Sequence, residues 1–246
     1  MPMGVRSASL AEVLDEMTRE GAEELTERLA GGDLRCYACG HRCLIREGKR
    51  GICKVRFNER GRLLAPANYV AALACDPTEK KPFFHALPGS DTLTFGMLGC
   101  DLHCAYCQNW LTSQALRDDA AGTAPRAVSA ARLVEMAREC GARLVGSSYN
   151  EPLITAEWAV EVFKRAKREG FRTAFISNGN ATPQVLDYLR PWTDCYKIDL
   201  KTMSDRGYRQ LGGVVSNILE TVRMVHERGF WQEIVTLVIP GFNDSE

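Results

Sequence analysis

Three times in the second half of the chain an amphipathic helical stretch runs into a glycine and then into a short apolar segment. "VSAARLVEMAREC" carries Leu133, Met136, Ala137 and Cys140 at i, i+3, i+4, i+7, with Ser129 as its N-cap; Gly141 and "RLVGSS" follow. "AEWAVEVFKRAKRE" carries Ala159, Val162, Phe163 and Ala166, then Gly170 and "RTAFIS". "SNILETVRMVHER" carries Ile218, Val222 and Val225, then Gly229 and "QEIVTLVIP". Between them lie a short helix, "TPQVLDYLR", and a strand, "CYKIDL"; "DTLTFGM" adds a strand upstream. Five nearly continuous apolar strands alternating with helices specify parallel βα units.

An open doubly wound sheet and a barrel both satisfy that pattern. Polar or glycine-bearing sequence follows every strand: Cys100-Cys104-Cys107, "SSYNEP" (147–152), "SNGN" (177–180), "DLK" (199–201) and "PGFND" (240–244). One such loop is ordinary turn chemistry. Five in register favour a barrel-like sheet, whose active site gathers at the C-terminal ends of its strands. Glu246 comes directly after the fifth strand, which leaves an open edge. The sequence therefore reads as truncated after strand five and lacking at least one βα unit. A terminus covered by a partner or by the N-terminal helix is the alternative.

The first of these loops, "GCDLHCAYCQNW", holds three cysteines in eight residues. Thiolates are the ligands of zinc and of iron–sulfur clusters. Zinc prefers paired knuckles, so C-x3-C-x2-C with no near fourth ligand suits it poorly. A four-iron cluster held by three thiolates keeps one iron open for chemistry.

Cys100-x3-Cys104-x2-Cys107, with Tyr106 before the last cysteine and a βα strand before the first, resembles the radical S-adenosylmethionine (SAM) superfamily from about Ser90 onward. The resemblance implies a partial (β/α)6 TIM-like barrel and a [4Fe–4S] cluster on those three cysteines. It implies that the open iron chelates SAM, whose reductive cleavage yields a 5′-deoxyadenosyl radical. "YNEP" stands where the superfamily has a Gly-Gly-Glu-like turn; Glu151 matches, whereas Tyr149 and Asn150 replace the glycines. The resemblance assigns Asn150 and Glu151 to the SAM amino group, and Ser177 and Asn178 to its ribose and carboxylate. Asp199 and Lys201 fall on one strand face near SAM and substrate, or form a structural salt bridge. Tyr106 and Trp110 either flank the adenine or serve as core aromatics.

Upstream, Cys36-x2-Cys39-x3-Cys43-x9-Cys53 supplies four thiols, enough for one closed site holding zinc or an auxiliary iron–sulfur cluster. Together with "EKKPFFHALPG", "GCDLHCAYCQNW" and "YNEP", this segment resembles the radical SAM enzymes of the AmmeMemoRadiSam system, related to pyruvate formate-lyase-activating enzymes. That resemblance implies association with Memo-like and AMMECR-like proteins and an external electron donor of flavodoxin or ferredoxin type. Lys80, Lys81 and His85 line the mouth, touch a partner, or form a solvated loop.

Three segments follow: an N-terminal helical segment (1–32), whose apolar positions Leu10, Val13, Leu14 and Met17 continue to Leu25 and Leu29; a Cys-rich module and connector (33–89); and the radical SAM partial barrel (90–246). Ten cysteines without an apolar signal sequence point to a reducing, cytoplasmic setting and to metal ligands rather than disulfides. Cys140 and Cys195 read as buried apolar residues, and Cys75 stays open. Lys and Arg total 31 against 31 Asp and Glu, which gives no reason to expect a nucleic-acid partner. No apolar run approaches the roughly 20 residues of a membrane span. Three functions are compatible: a radical SAM enzyme on an unknown, protein or other, substrate; a glycyl-radical-enzyme activase; or a metal-binding or electron-transfer module that cleaves nothing.

Overall fold

The computed structural model describes residues 8–118 and 120–244. Its centre is a six-stranded sheet: β1 (Ala72–Pro77), β2 (Asp91–Gly96), β3 (Leu144–Ser147), β4 (Arg172–Ser177), β5 (Cys195–Asp199) and β6 (Trp231–Val235). Spatial order follows chain order without reversal. A doubly wound sheet reverses its order at a switch point, so this topology departs from that alternative. The five expected strands are β2–β6, all parallel, with Leu144 opposite both Thr92 and Arg172, and Cys195 opposite both Ala174 and Trp231. β1 was not expected; it pairs antiparallel with β2 over Ala72–Gly96 to Pro77–Asp91 and forms one edge of the sheet.

Helices α1 (Leu10–Glu16), α2 (Trp110–Ser113), α3 (Ala130–Glu139), α4 (Ala156–Arg168), α5 (Pro183–Leu189), α6 (Asp205–Leu211) and α7 (Val215–Glu227) complete the regular core. Ser129 caps α3 as expected, its hydroxyl accepting from the Arg132 N–H, and Gly141 follows at φ 70°. Alternation along the strands separates two apolar layers. Val145, Phe175 and Tyr196 face the helices with Phe163, Val185 and Val225. Leu144, Ala174, Ile176 and Cys195 face the other way, under Phe83 and Ala86 of the connector. Each large side chain so buried contributes roughly 1.5–3 kcal/mol. The connector is held there by Glu233 of β6, whose carboxylate accepts from the N–H groups of Phe84, His85 and Ala86 at 2.8, 3.1 and 3.0 Å.

The N-terminal segment departs from its expected helix. α1 stops at Glu16, and Thr18–Glu20 forms a strand antiparallel to Arg62–Pro66. Thr26–Arg28 pairs with Leu34–Cys36, which pairs with Leu44–Ile45. Leu25 is buried, but from a short 3-10 turn rather than from the α1 stripe. Cross-strand pairing, to partners more than forty residues away for Thr18–Glu20 and within ten residues for Thr26–Arg28, overrides the local helical spacing. This N-terminal lobe covers the outer side of α4, which explains why that helix buries Glu157 and Trp158 as well as its sheet-facing stripe.

The cysteines outside the two clusters also divide differently. Cys195 is buried, as expected. Cys75 of β1 and Cys140 at the end of α3 instead meet as a disulfide, with Cα atoms 6.6 Å apart. The unexpected edge strand is the reason, because it lays Cys75 beside the C-terminus of α3.

Candidate functional site

β2 ends at Gly96, and the chain then turns into the three-cysteine loop. Gly99 has φ 93°, and a Cβ there would lie 2.8 Å from Val55 Cγ1 and 3.1 Å from the Cys53 carbonyl oxygen. Glycine is thus required both by conformation and by the close approach of the four-cysteine segment. Cys100, Cys104 and Cys107 are each partly exposed on the loop that follows. The Leu102 N–H points at Cys100 Sγ from 3.4 Å. Burial pushes the Cys100 thiol upward, helped by the charges of Asp101 and Glu151. Burial pushes Cys104 up to about 11 against the opposing influence of Lys201. A metal centre here must therefore displace thiol protons as it binds.

The other strand ends form two groups around this loop. One surrounds Asp101, which is fully buried. Its carboxylate accepts from Asn178 Nδ2 and Asn180 Nδ2, both at 2.7 Å. Glu151 lies next in this network: its Oε1 accepts from Ser177 Oγ at 2.8 Å and from the Leu153 N–H at 3.1 Å, and its Oε2 from the Asn178 N–H at 2.7 Å. Three of roughly four lone-pair positions on that carboxylate are filled, leaving room for one further donor. Asn150 faces backwards, accepting from the Met97 N–H at 2.9 Å, and so braces the strand end rather than the opening. The preceding residue, Tyr149, has φ 70°.

The second group surrounds Lys201. Its ammonium is 3.9 Å from Asp199 Oδ2, and Asp199 also pairs with Lys197. The expected Asp199–Lys201 pair is therefore present, with a second lysine sharing the acid. Tyr106 packs on Phe242 with ring centroids 5.5 Å apart. Asn243 Nδ2 donates to the Lys201 carbonyl at 2.7 Å, so the "PGFND" loop does reach this end of the sheet, although β6 itself stops at Val235. Trp110 is 38% exposed at the start of α2.

Burial, followed by the charge of Asp101, raises Glu151 to about 8 despite its hydrogen bonds. A carboxyl raised on folding binds more protons in the folded state, so its contribution to stability is present at acid pH. That contribution is lost as pH climbs from the unfolded value near 4.5 through about 8. The melting temperature of the metal-free protein is expected to fall by several degrees across this range, and Glu151→Gln should flatten the slope. Equal pH slopes for both proteins in calorimetry would refute the assignment.

The four-cysteine segment lies behind the first group. Cys36, Cys39 and Cys53 are buried and Cys43 is half-buried. Cys36 acts electrostatically on the other three, and Cys53 is pushed up to about 11 by burial. The Ile52 N–H points at Cys43 Sγ from 3.5 Å. Among the described residues, however, no three His, Cys, Asp or Glu side chains converge closely enough for one metal ion. For the three-cysteine loop the donor chemistry fits an iron–sulfur cluster, in which each thiolate binds a separate iron and ligands need not share one centre.

Several participants escaped the sequence reading. Asp101 was not among the candidates, yet it is buried at the centre of the first group. His41 Nε2 donates to the Asp101 carbonyl at 3.1 Å, and the Gly40 N–H to the Asn180 carbonyl at 2.7 Å. These bonds fasten the four-cysteine segment to the three-cysteine loop and the "SNGN" turn. Lys81, read as one of three connector cations, is buried and donates to Asp76 at 2.8 Å and to Tyr149 Oη at 3.1 Å. Lys80 and His85 stay exposed, beside Asp76 and Glu233. Only the unusual density of Asn, Asp and Gly near the strand ends could have hinted at the buried network.

Parallel strands, a three-thiol loop at the end of the first of them, and buried polar turns at the next ends define an iron–sulfur, SAM-binding class of protein. The Radical SAM superfamily model matches residues 95–246, and the chain belongs to that superfamily. It is 31% identical over 220 residues to the uncharacterized protein MJ0808 of Methanocaldococcus jannaschii, covering 89% of this chain and 65% of the relative. It is 29% identical over 165 residues to the pyruvate formate-lyase 1-activating enzyme of Escherichia coli, covering 65% of each. The chain thus spans just under two thirds of the length of these curated relatives. The solved structure of TYW1 with a lysine-pyruvate adduct bound aligns with a TM-score of 0.45 at 20% identity, over 62% of this chain and 57% of that one. The Radical SAM superfamily uses a [4Fe–4S] cluster and SAM. No helix among the described residues is long and apolar enough to cross a membrane.

Proposed function

We propose that Cys100, Cys104 and Cys107 hold the [4Fe–4S] cluster and that the buried turns beside them bind SAM on a partial (β/α)6 barrel. Bound there, the reduced cluster supplies one electron for cleavage of SAM to methionine and a 5′-deoxyadenosyl radical, which takes hydrogen from a substrate. The convergence of Asp101, Glu151, Ser177 and Asn178 on the side of Cys100 carries this assignment. Glu151 offers its remaining lone pair to an ammonium donor, and a cation there would draw the carboxyl back toward its charged form. Ser177 and Asn178 hold Glu151 in place and lend their remaining polarity to the ligand. Lys201 sets a cation opposite Cys104 and favours its thiolate. Tyr106 and Phe242 offer an apolar ledge for a planar base.

The substrate is open. The likeness to the pyruvate formate-lyase 1-activating enzyme supports a second version of the same chemistry, hydrogen abstraction from a glycine of a partner enzyme. The segments Cys36–Cys53 and 79–89 support placement in the AmmeMemoRadiSam system, with Memo-like and AMMECR-like partners. Under either version the four-cysteine lobe is a metal-binding module that holds zinc or an auxiliary cluster on Cys36, Cys39, Cys43 and Cys53.

Anaerobic reconstitution with iron and sulfide, metal analysis, dithionite reduction and quantification of 5′-deoxyadenosine test the proposal. About four irons per chain and SAM-dependent deoxyadenosine are expected, and near eight would place a second cluster at Cys36–Cys53. Fully loaded protein that forms no deoxyadenosine would leave only a metal-binding or electron-transfer role.

A further inference from the structure

The chain is neutral overall, with 31 cations and 31 anions, yet its charge is uneven. Between residues 42 and 56 stand Arg42, Arg46, Lys49, Arg50, Lys54 and Arg56 against one acid, Glu47. Arg50 is engaged by Asp15 and Arg56 by Glu157. Arg42, Arg46, Lys49 and Lys54 are exposed and make no ion pair among the described residues. Glu47 is turned to the N–H groups of Arg60 and Gly61, at 2.8 and 3.0 Å. Leu44 and Ile52 lie among these cations at 50% and 42% exposure.

This basic and aliphatic face is joined to the proposed cluster loop. Arg117 bridges the two segments, donating to the Leu102 carbonyl at 2.6 Å and to the Ile52 carbonyl at 2.7 Å. The Cys53 carbonyl, one residue before Lys54, abuts Gly99, one residue before Cys100. Trp110 and Leu111, just after Cys107, are exposed at 38% and 46%. Arg42 and Lys54 both adopt positive φ, 44° and 68°, immediately beside Cys43 and Cys53.

We propose that the face carrying Arg42, Leu44, Arg46, Lys49, Ile52 and Lys54 is the docking surface for an acidic protein that delivers single electrons. The inference rests on the function proposed above, which needs one external electron at the Cys100–Cys107 loop for each SAM cleaved. One electron leaves the reduced donor and enters the cluster; the donor ends one electron more oxidised, and no proton or group moves between the proteins. Four unpaired cations steer an anionic partner to the loop, and a small aliphatic centre suits a brief encounter. An RNA ligand would also be drawn by the cations, but the centre of this face is aliphatic, without the aromatic stacking platform of single-strand binders.

The test compares the wild-type chain with Arg46→Glu/Lys49→Glu, both in an exposed turn, and with Lys54→Gln. Reduced flavodoxin, an acidic one-electron donor, is mixed anaerobically with the reconstituted protein, and bleaching of the cluster's visible absorbance is followed. The double variant should lose about tenfold or more in second-order rate at low salt. The gap should close near 1 M salt, where the Debye length falls to about 3 Å. Iron content and reduction by dithionite should not change. Labelled flavodoxin should also bind the metal-free wild-type chain, and bind the variants more weakly, by fluorescence anisotropy. Equal rates and equal binding would overturn the proposal, as would an RNA oligomer that binds through these residues where flavodoxin does not. A chain that takes no electron from dithionite would refute the cluster assignment instead, and flavodoxin binding to metal-free protein would still decide the docking surface.

Discussion

Alanine at Cys100, Cys104 and Cys107 together is expected to lower SAM-dependent 5′-deoxyadenosine formation at least about a thousandfold, or ~4 kcal/mol in barrier terms. The reason is local. The three thiols share one short loop, and no other cysteine stands ready to replace them: Cys39 and Cys53 are buried in the four-cysteine lobe, and Cys195 lies on the inner face of the sheet. Iron content should drop by about four per chain. Folding should survive, because these thiols are half-exposed and belong to none of the apolar clusters. The same substitutions at Cys36, Cys39, Cys43 and Cys53 should behave differently, removing any metal of that lobe while leaving the loop's thiols intact. A triple variant that keeps both its iron and its deoxyadenosine yield, with an unchanged circular dichroism spectrum, would show that the loop is not the radical-generating site.

The main sheet was legible in the sequence because β2 to β5 are buried on both faces and the helices on one. Apolar runs and 3.6-residue spacing record those two facts directly. β1 left no such trace. Ala72–Asp76 is half-buried at every position, so neither a continuous run nor an alternation marks it. The helix read through Leu25 and Leu29 failed for a related reason. Local spacing continues past Met17, but the pairing of Thr18–Glu20 with Leu64–Pro66 decides the conformation, and no local pattern contains it.

The site divides along the same line. The cysteine motif and the polar strand ends are spacing features, and the sequence displays them. Asp101 depends on Asn178 and Asn180, 77 and 79 residues away, and nothing in "GCDLHC" says that its carboxylate is buried. Asn150 carries the converse lesson. It stands at a motif position, but its side chain closes a hydrogen bond to Met97 and braces the strand. The Cys75–Cys140 disulfide follows from β1 and was as hidden as β1 itself.

The largest stability effect is expected where the four-cysteine lobe is bolted to the sheet. Arg56 and Glu157 are 1% and 4% exposed and form a two-bond fork, with Nη1 to Oε2 and Nη2 to Oε1 both at 2.7 Å. Arg56 also donates to the Ile154 carbonyl at 3.2 Å, and Glu157 accepts from the Ala22 N–H at 3.1 Å. One pair thus joins the Cys53 segment, the N-terminal turn and the helix that follows Glu151. Burial alone would raise Glu157, but the Arg56 charge and hydrogen bonds outweigh it and hold the carboxyl below its ordinary range. Its stabilisation is therefore present at neutral pH. It is lost as pH falls below the unfolded carboxylate value near 4.5 and through the lower folded one. Arg56→Met leaves that carboxylate buried and unpaired, which costs about 3–5 kcal/mol. For a chain of this size that corresponds to a melting temperature lower by roughly 10 °C. Arg56→Met/Glu157→Met should recover most of the loss, because apolar side chains of similar length fill the site without an unpaired charge. Denaturant titration of the three proteins at pH 7 measures both steps. A single variant within about 1 kcal/mol of wild type would mean that water or a neighbouring group satisfies Glu157. A double variant no better than the single would mean that the fork's hydrogen bonds to Ile154 and Ala22, rather than its charge pairing, hold the lobe in place.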